Sequence, residues 1–147
     1  MTDVSKALDE IDTRIIGMLS ESGRMSWREL GEGVHLSATS IGDRVRRLEG
    51  LGVISGYRAV VDPSAVGRGM RAVIEVQLRP ETSPDGFEAA LAERTEVTFA
   101  AYVTGAADYA VLVDCAGAEG LDGFTRWCKA NGAAQTESRV VLRRVVG

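Results

Sequence analysis

The sequence predicts an α+β chain in two parts, three short helices followed by a βαββαβ unit. Three observations predict it. Apolar residues recur at helical spacing as far as Leu51, breaker residues cluster between Asp62 and Gly69, and beyond Met70 β-branched stretches alternate with two helical stripes. A length of 147 residues suits one ordinary domain or two small ones. The hydrophobic share of 45%, without a long Pro/Ser tract or a charge block, is that of a chain that folds throughout.

The first helix is expected over residues 9–22. Leu8, Ile11, Ile15, Ile16 and Leu19 fall on one side of it, Asp9, Glu10 and Asp12 sit near its positive end, and Gly23 ends it. Ser26 with Glu29 three residues on forms a capping-box pattern for a second helix, whose apolar face is Trp27, Leu30 and Val34. His35, Leu36 and Ser37 then make a tight connection, with Ser37 as the N-cap of a third helix running to Leu51. Ile41, Val45, Leu48 and Leu51 form its apolar stripe, Gly52 stops it, and Gly42 inside it costs about 1 kcal/mol relative to alanine. That glycine either permits a close approach or frays the helix.

Three helices with a short link between the second and third are what a helix-turn-helix requires, because the second helix braces the third against a DNA groove. Thr39, Ser40, Asp43, Arg44 and Arg47 lie off the stripe and, with Ser37, are the candidates for contact with bases or phosphates of double-stranded DNA. Arg44 or Arg47 can pair bidentately with a guanine, hold a phosphate, or pair with Asp43. Arg46 and Arg58 are phosphate or solvent residues. The competing reading of this face is an ordinary solvated one, and the bracing helices favour recognition. A formal charge of −4 argues against coating nucleic acid through bulk charge, so binding must be local and multivalent.

Residues 53–61 have strand composition and read as a wing or connector. With the breakers that follow, they give a domain over 1–62, a linker over 63–69 and a second domain over 70–147. In the second domain strands are expected at 72–78, 97–103, 109–115 and 135–145, and helices at 84–94 and 120–131. The helical stripes, Phe87, Ala90 and Leu91 in one and Leu121, Phe124, Trp127 and Cys128 in the other, cover one face of an antiparallel sheet, which makes a ferredoxin-like sandwich. The other face keeps Val, Ile and Tyr side chains with no helix to cover them, and oligomerisation is the natural cover. The stretch from Gly105 to Tyr109 reads as a glycine turn between two strands, with Asp108 bonding local amides. The fold class is thus α+β, an N-terminal winged helix-turn-helix domain followed by a ferredoxin-like βαββαβ domain.

Cys115, Cys128 and the single His35 are too few and too scattered for a metal set, and the two cysteines read as core thiols. No cofactor motif, P-loop or nucleophile with its base is present, so a non-DNA-binding metabolite-binding module or enzyme on the ferredoxin-like half is the alternative rather than the expectation. RNA binding ranks below it, because the strands lack clustered aromatics on which bases stack. No apolar run reaches the ~20 residues of a membrane span, and the opening ten residues lack a signal-peptide pattern, so a cytoplasmic, nucleoid-associated protein without membrane contact is expected.

The stretch LDEIDTRIIGMLSESGRMSWRELGEGVHLSATSIGDRVRRLEGLGVISGY carries LD-x-x-D, a GR pair, LS ahead of the third helix, RV-x-RLE and G-x-I-x-GY. Together with VTGAADYAVLV and QTESRVVL, similar to a G-x-x-D-Y turn and a T-x-S/T closing strand, it resembles the Lrp/AsnC family of feast/famine transcriptional regulators over almost the whole chain. The resemblance implies an N-terminal domain that binds DNA and a C-terminal domain that forms at least a dimer, often a ring of four dimers making an octamer. It also implies a small effector, usually an amino acid, bound between regulatory domains. Carried to this chain, the amides of the turn at Gly105 and the hydroxyls of Thr104, Thr136 and Ser138 would hold the effector's carboxylate. Asp108 would suit its ammonium group, next to Tyr109, and Tyr102 and Gln135 would line the side-chain pocket. Ala107 stands where the family frequently has an aromatic residue, which implies a roomier pocket for a bulky apolar amino acid such as leucine or phenylalanine.

Overall fold

Each of the first three helices opens on a side chain that satisfies its free amides. In the computed structural model, which describes residues 8–145, α1 (Glu10–Glu21) starts from Asp9, whose carboxylate accepts from the Asp12 amide at 2.8 Å while Asp12 returns the bond to the Asp9 amide at 3.1 Å. The helix α2 (Trp27–Val34) has the expected box between Ser26 and Glu29, and α3 (Ala38–Gly50) is capped by the Ser37 hydroxyl, which accepts from the Ser40 amide at 3.2 Å. Only three residues separate α2 from α3. His35 takes the left-handed conformation at φ 60°, and the Leu36 amide turns back to the Gly31 carbonyl at 2.9 Å. Ile15, Leu30, Val34, Ile41, Val45 and Leu48 close a core between the helices. Leu51, expected on the same stripe, is instead the C-cap of α3 and is 42% exposed.

The stretch expected as a wing, residues 53–61, does not form a strand. The amides of Val53 and Ile54 both turn back to the Leu48 carbonyl and finish α3, at 2.9 and 3.2 Å. Their side chains pack on the helical core, and Tyr57 bonds Glu49 at 3.0 Å. Strand composition needs a sheet edge to become a strand, and among the described residues none pairs with this stretch, which remains a connector.

The chain divides into two compact units between Val60 and Val61. Residues 63–69 belong to the second unit rather than forming a separate linker: Ser64–Val66 make one 3₁₀ turn, and the Arg68 guanidinium donates to the Thr95 carbonyl and hydroxyl. There follow β1 (Met70–Leu78), α4 (Pro84–Ala92), β2 (Val97–Tyr102), β3 (Tyr109–Cys115), α5 (Ala118–Ala130) and β4 (Ala133–Val140), in the expected βαββαβ order. The strands form one antiparallel sheet of order β2-β3-β1-β4. The strand β4 ends five residues earlier than expected because Ala72 pairs with Val140 and β1 begins at Met70, so little of β1 is left to pair with beyond it.

Alternation decides which face each residue takes. Ala72, Ile74 and Val76 of β1 and Tyr109, Val111, Val113 and Cys115 of β3 face Phe87 and Leu91 of α4 and Phe124 and Cys128 of α5. Trp127 packs against this core, its ring 5.6 Å from that of Phe124, in the packing role expected of it. Both cysteines are free and buried, and burial pushes their thiols up, that of Cys128 to about 12, so they remain uncharged. The uncovered face differs from expectation in its residues. Ile74 and Tyr109 point to the helices, and the apolar groups left outside are Val73, Leu112 and the 57%-exposed Phe99. A bidentate Arg71–Asp114 pair, at 2.6 and 2.7 Å, flanks them.

Candidate functional site

The surface of α3 follows from its stripe. With Ile41, Val45 and Leu48 buried, Thr39, Asp43 and Arg46 take the exposed side, at spacings of four and three. Ser37 and Ser40 bond each other through their hydroxyls at 2.9 Å, beside the free amides at the start of the helix. Asp43 pairs with Arg46 at 2.7 Å, not with Arg44 or Arg47.

Arg44 and Arg47 reach the other way, to α1. The Arg44 guanidinium donates to Asp9 at 2.7 Å and to Asp12 at 2.8 Å, and Arg47 donates to the second oxygen of Asp12. Asp12 is fully buried. Burial alone would raise its carboxyl, but the Asp9 amide and the Arg47 and Arg44 guanidiniums outweigh this and hold it below its usual value, and the same carboxylates push Arg44 up. The side chain of Arg44 is 26% exposed and that of Arg47 42%, so Arg44 is mostly committed to the fold while Arg47 keeps a face at the surface. Reasoning from the sequence placed Asp12 only near a helix dipole. The available signal was its spacing: Leu8, Asp12, Ile15 and Leu19 share one side of α1, so a carboxylate lies on an apolar stripe and needs cationic partners.

Gly42 answers the close-approach alternative. A Cβ on it would lie 2.6 Å from Cζ3 of Trp27, so the absence of a side chain is what lets the indole lie on α3. The Arg46 guanidinium is 5.4 Å above the same ring.

In the second unit the expected effector residues divide between the two faces of the sheet. Tyr102 and Tyr109 pair across β2 and β3 on the helix side and line a depression of about 320 Å³ with Leu91, Val97, Ala100 and Glu88, whose carboxylate accepts from the buried Tyr109 hydroxyl at 2.8 Å. Burial and that carboxylate push the Tyr109 phenol up. Thr136 and Ser138 pair with Val76 and Ile74 and share that side. Gln135 and Ala107 line a second, polar depression of about 100 Å³ on the open side, with Glu75, Gln77, Ala106 and Glu137. Thr104 and Gly105 lie exposed in the turn, Gly105 with φ 128°.

Asp108 does not bond the amides of its own turn, as the sequence led one to expect, but reaches across to an amide of β1. Its carboxylate accepts from the Leu78 amide at 2.7 Å, at the end of β1 where the pairing with β4 shifts register and leaves that amide outside the ladder. Asp108→Ala is expected to leave the amide without its partner and to destabilise the second unit by about 1–3 kcal/mol, whereas Asp108→Asn, which keeps an acceptor oxygen, should cost less than half as much. Urea unfolding followed through Trp127 in a Trp27→Phe background measures both, and equal losses would show that charge rather than the accepted bond matters.

Comparison with known proteins bears on both units. Residues 8–49 match the model of the AsnC-type helix-turn-helix domain, and residues 71–147 match that of the Lrp/AsnC ligand binding domain. The chain is 32% identical over 139 residues to the HTH-type transcriptional regulator LrpA of Mycobacterium tuberculosis, covering 95% of this chain and 93% of that protein. Among solved structures, a transcriptional regulator of Neisseria meningitidis in complex with L-Met superimposes with a TM-score of 0.90 at 28% identity, covering 95% of this chain and 93% of that one. A feast or famine regulatory protein of M. tuberculosis complexed with L-methionine does so with a TM-score of 0.88 at 31% identity, over 95% of each chain.

Proposed function

This chain belongs to the Lrp/AsnC family of DNA-binding transcriptional regulators, and we propose on that premise that α3 enters the major groove with Ser37, Thr39, Ser40 and Asp43 toward the DNA, under control of an amino-acid effector held by the second unit. The observation that carries the DNA reading is the exposed hydroxyl-bearing start of α3, set by a three-residue turn on a helix whose opposite stripe is wholly buried. Arg47 contributes the face it keeps at the surface, and Arg44 contributes by holding α3 on α1. The relatives' names as regulators support action through binding rather than catalysis. A nucleoid-associated place in the cytoplasm follows from that role.

The effector reading rests on the turn at Gly105. The depression beside it has Ala107 and Gln135 in its wall with Glu75 and Glu137, whose carboxylates are bonded to the Arg139 guanidinium at 3.0 and 2.7 Å, so an ammonium group entering it shares them with Arg139. At about 100 Å³ it falls well short of the ~300 Å³ at which small-molecule pockets usually begin, so a second copy must complete the enclosure. This supports a homo-oligomer, a dimer at least, with an octamer as the larger form the family resemblance implies. The uncovered apolar residues Val73, Leu112 and Phe99 support association as well.

Two measurements test the reading. The full chain is expected to bind a duplex from upstream of its own gene with a steep salt dependence, and Thr39→Val with Asp43→Ala should remove roughly 1–3 kcal/mol of its preference over mixed-sequence DNA. An unchanged preference would rule out this face as the reader. In calorimetric titrations leucine, phenylalanine or methionine should bind more tightly than alanine, aspartate or lysine. The reverse order would sink the apolar effector.

A further inference from the structure

Of the three arginines on α3, two are turned to the carboxylates of α1, and the third has a different support. The guanidinium of Arg46 lies 5.4 Å over the Trp27 ring and is tied to Asp43 at 2.7 Å, with its side chain 60% exposed. Trp27 is the first residue of α2, directly after the cap at Ser26, and is itself 43% exposed. Its indole reaches α3 only because Gly42 has no side chain: a Cβ there would meet Cζ3 at 2.6 Å and Cε3 at 2.8 Å. The sequence thus places a large residue against a missing one, and the result is a cation held over an aromatic face at the junction of the α2 start with α3.

We infer that Arg46 and Trp27 form a phosphate clamp, a positioning contact that fixes α3 on the DNA backbone. The inference rests on α3 being the recognition helix. A guanidinium over an indole keeps its N–H donors at the edge while its flat face is occupied, so an anion meets a preset fork rather than a free chain. The indole N–H supplies a further donor type suited to phosphate. Asp43 restrains Arg46 in the free protein, and on DNA the dense negative charge of the phosphate backbone competes with that single carboxylate for the same donors. Phosphate contacts orient a protein without reading sequence, so the clamp works equally on any duplex.

The test uses the full chain and two duplexes of equal length, one from upstream of its own gene and one of mixed sequence, titrated over a range of salt. Arg46→Ala is expected to weaken binding to both by a similar factor and to reduce the slope of log K against log[salt] by about 1 for each copy engaged. Gly42→Leu, which displaces the indole while leaving Arg46 in place, should lower affinity for both in the same proportion, and Arg46→Lys should recover most of the slope. Arg46 is exposed, and an unfolding midpoint equal to that of the wild type confirms that the loss lies in binding. An unchanged slope in Arg46→Ala, or a loss confined to the own-gene duplex, overturns the clamp. A wild-type chain that binds neither duplex overturns the recognition-helix reading and the clamp with it, so the two failures are distinct.

Discussion

Asp12→Ala is expected to destabilise the helical unit by about 3 kcal/mol, the lower end of what breaking a buried ion pair costs. The lower end applies because the two guanidiniums facing Asp12 are 26% and 42% exposed, and water stabilises them once the carboxylate is gone. The loss has two parts. Arg44 and Arg47 are left close together at the α1–α3 contact with their shared anion removed, and the Asp9 amide loses the acceptor that closes the cap of α1. At roughly 4–8 °C per kcal/mol for a small domain, the midpoint should fall by roughly 12–24 °C. The readout is available in the chain itself: each compact unit has one tryptophan, Trp27 and Trp127, so a Trp127→Phe background reports on the helical unit alone. Asp12→Asn keeps an acceptor for the Asp9 amide and should lie between wild type and alanine. A midpoint within 2 or so degrees of wild type for Asp12→Ala would mean that packing alone holds α1 on α3.

The same network sets an acid limit. Because the folded pKa of Asp12 lies below its usual value of 3.8, the folded state binds the proton less readily than the unfolded one. Its contribution is therefore complete above the ordinary carboxylate range and is lost as pH falls through the lowered folded value. The unfolding midpoint of wild type should drop faster than that of Asp12→Asn below about pH 4, and the two curves should converge at the acid end.

Elements whose cause lies within a few neighbouring residues were legible in the sequence. The cap at Ser37, the box at Ser26 and Glu29, and the buried stripe Ile41, Val45 and Leu48 are local patterns, and they appear as expected. The βαββαβ order was legible for the same reason, since alternation and helical stripes are periodic. What depended on distant partners was not. Residues 53–61 have the composition of a strand, but composition does not supply an edge, and the first two amides are used by α3. Arg44 and Arg47 read as groups facing outward because their partner, Asp12, lies more than thirty residues away. The effector residues were carried over from the family resemblance to one turn and one closing strand, yet Gln135 and Thr136 are neighbours that face opposite sides of the sheet. Gly42 was legible as a choice between two outcomes, and only the position of Trp27 decides it.

Gly31→Ala is expected to be the more damaging of two substitutions that look alike in the sequence. Both Gly31 and Gly33 lie in α2, where alanine gains up to about 1 kcal/mol in helix propensity. A Cβ at Gly31 would stand 2.4 Å from the Leu36 carbonyl oxygen, which is backbone in the tight turn, while at Gly33 it would stand 2.5 Å from the terminal methyl of Met18. The methyl is the end of a flexible side chain and can rotate away. The carbonyl cannot, because the Leu36 amide is bonded to the Gly31 carbonyl and His35 already occupies a left-handed conformation to make the turn. Relief at Gly31 therefore requires α3 to move relative to α2. The expected net cost is about 2 kcal/mol for Gly31→Ala, from overpacking of up to roughly 3 kcal/mol less the propensity gain, against a change near zero for Gly33→Ala. Unfolding of both variants through Trp27 measures the stability. Binding to the own-gene duplex at a temperature where both remain folded measures the angle: Gly31→Ala should lose affinity there and Gly33→Ala should not, since the turn that places Ser37 and Thr39 is altered only in the first. Equal stability and equal binding of the two would show that the turn is soft, and that the pose of α3 is set by its core contacts instead.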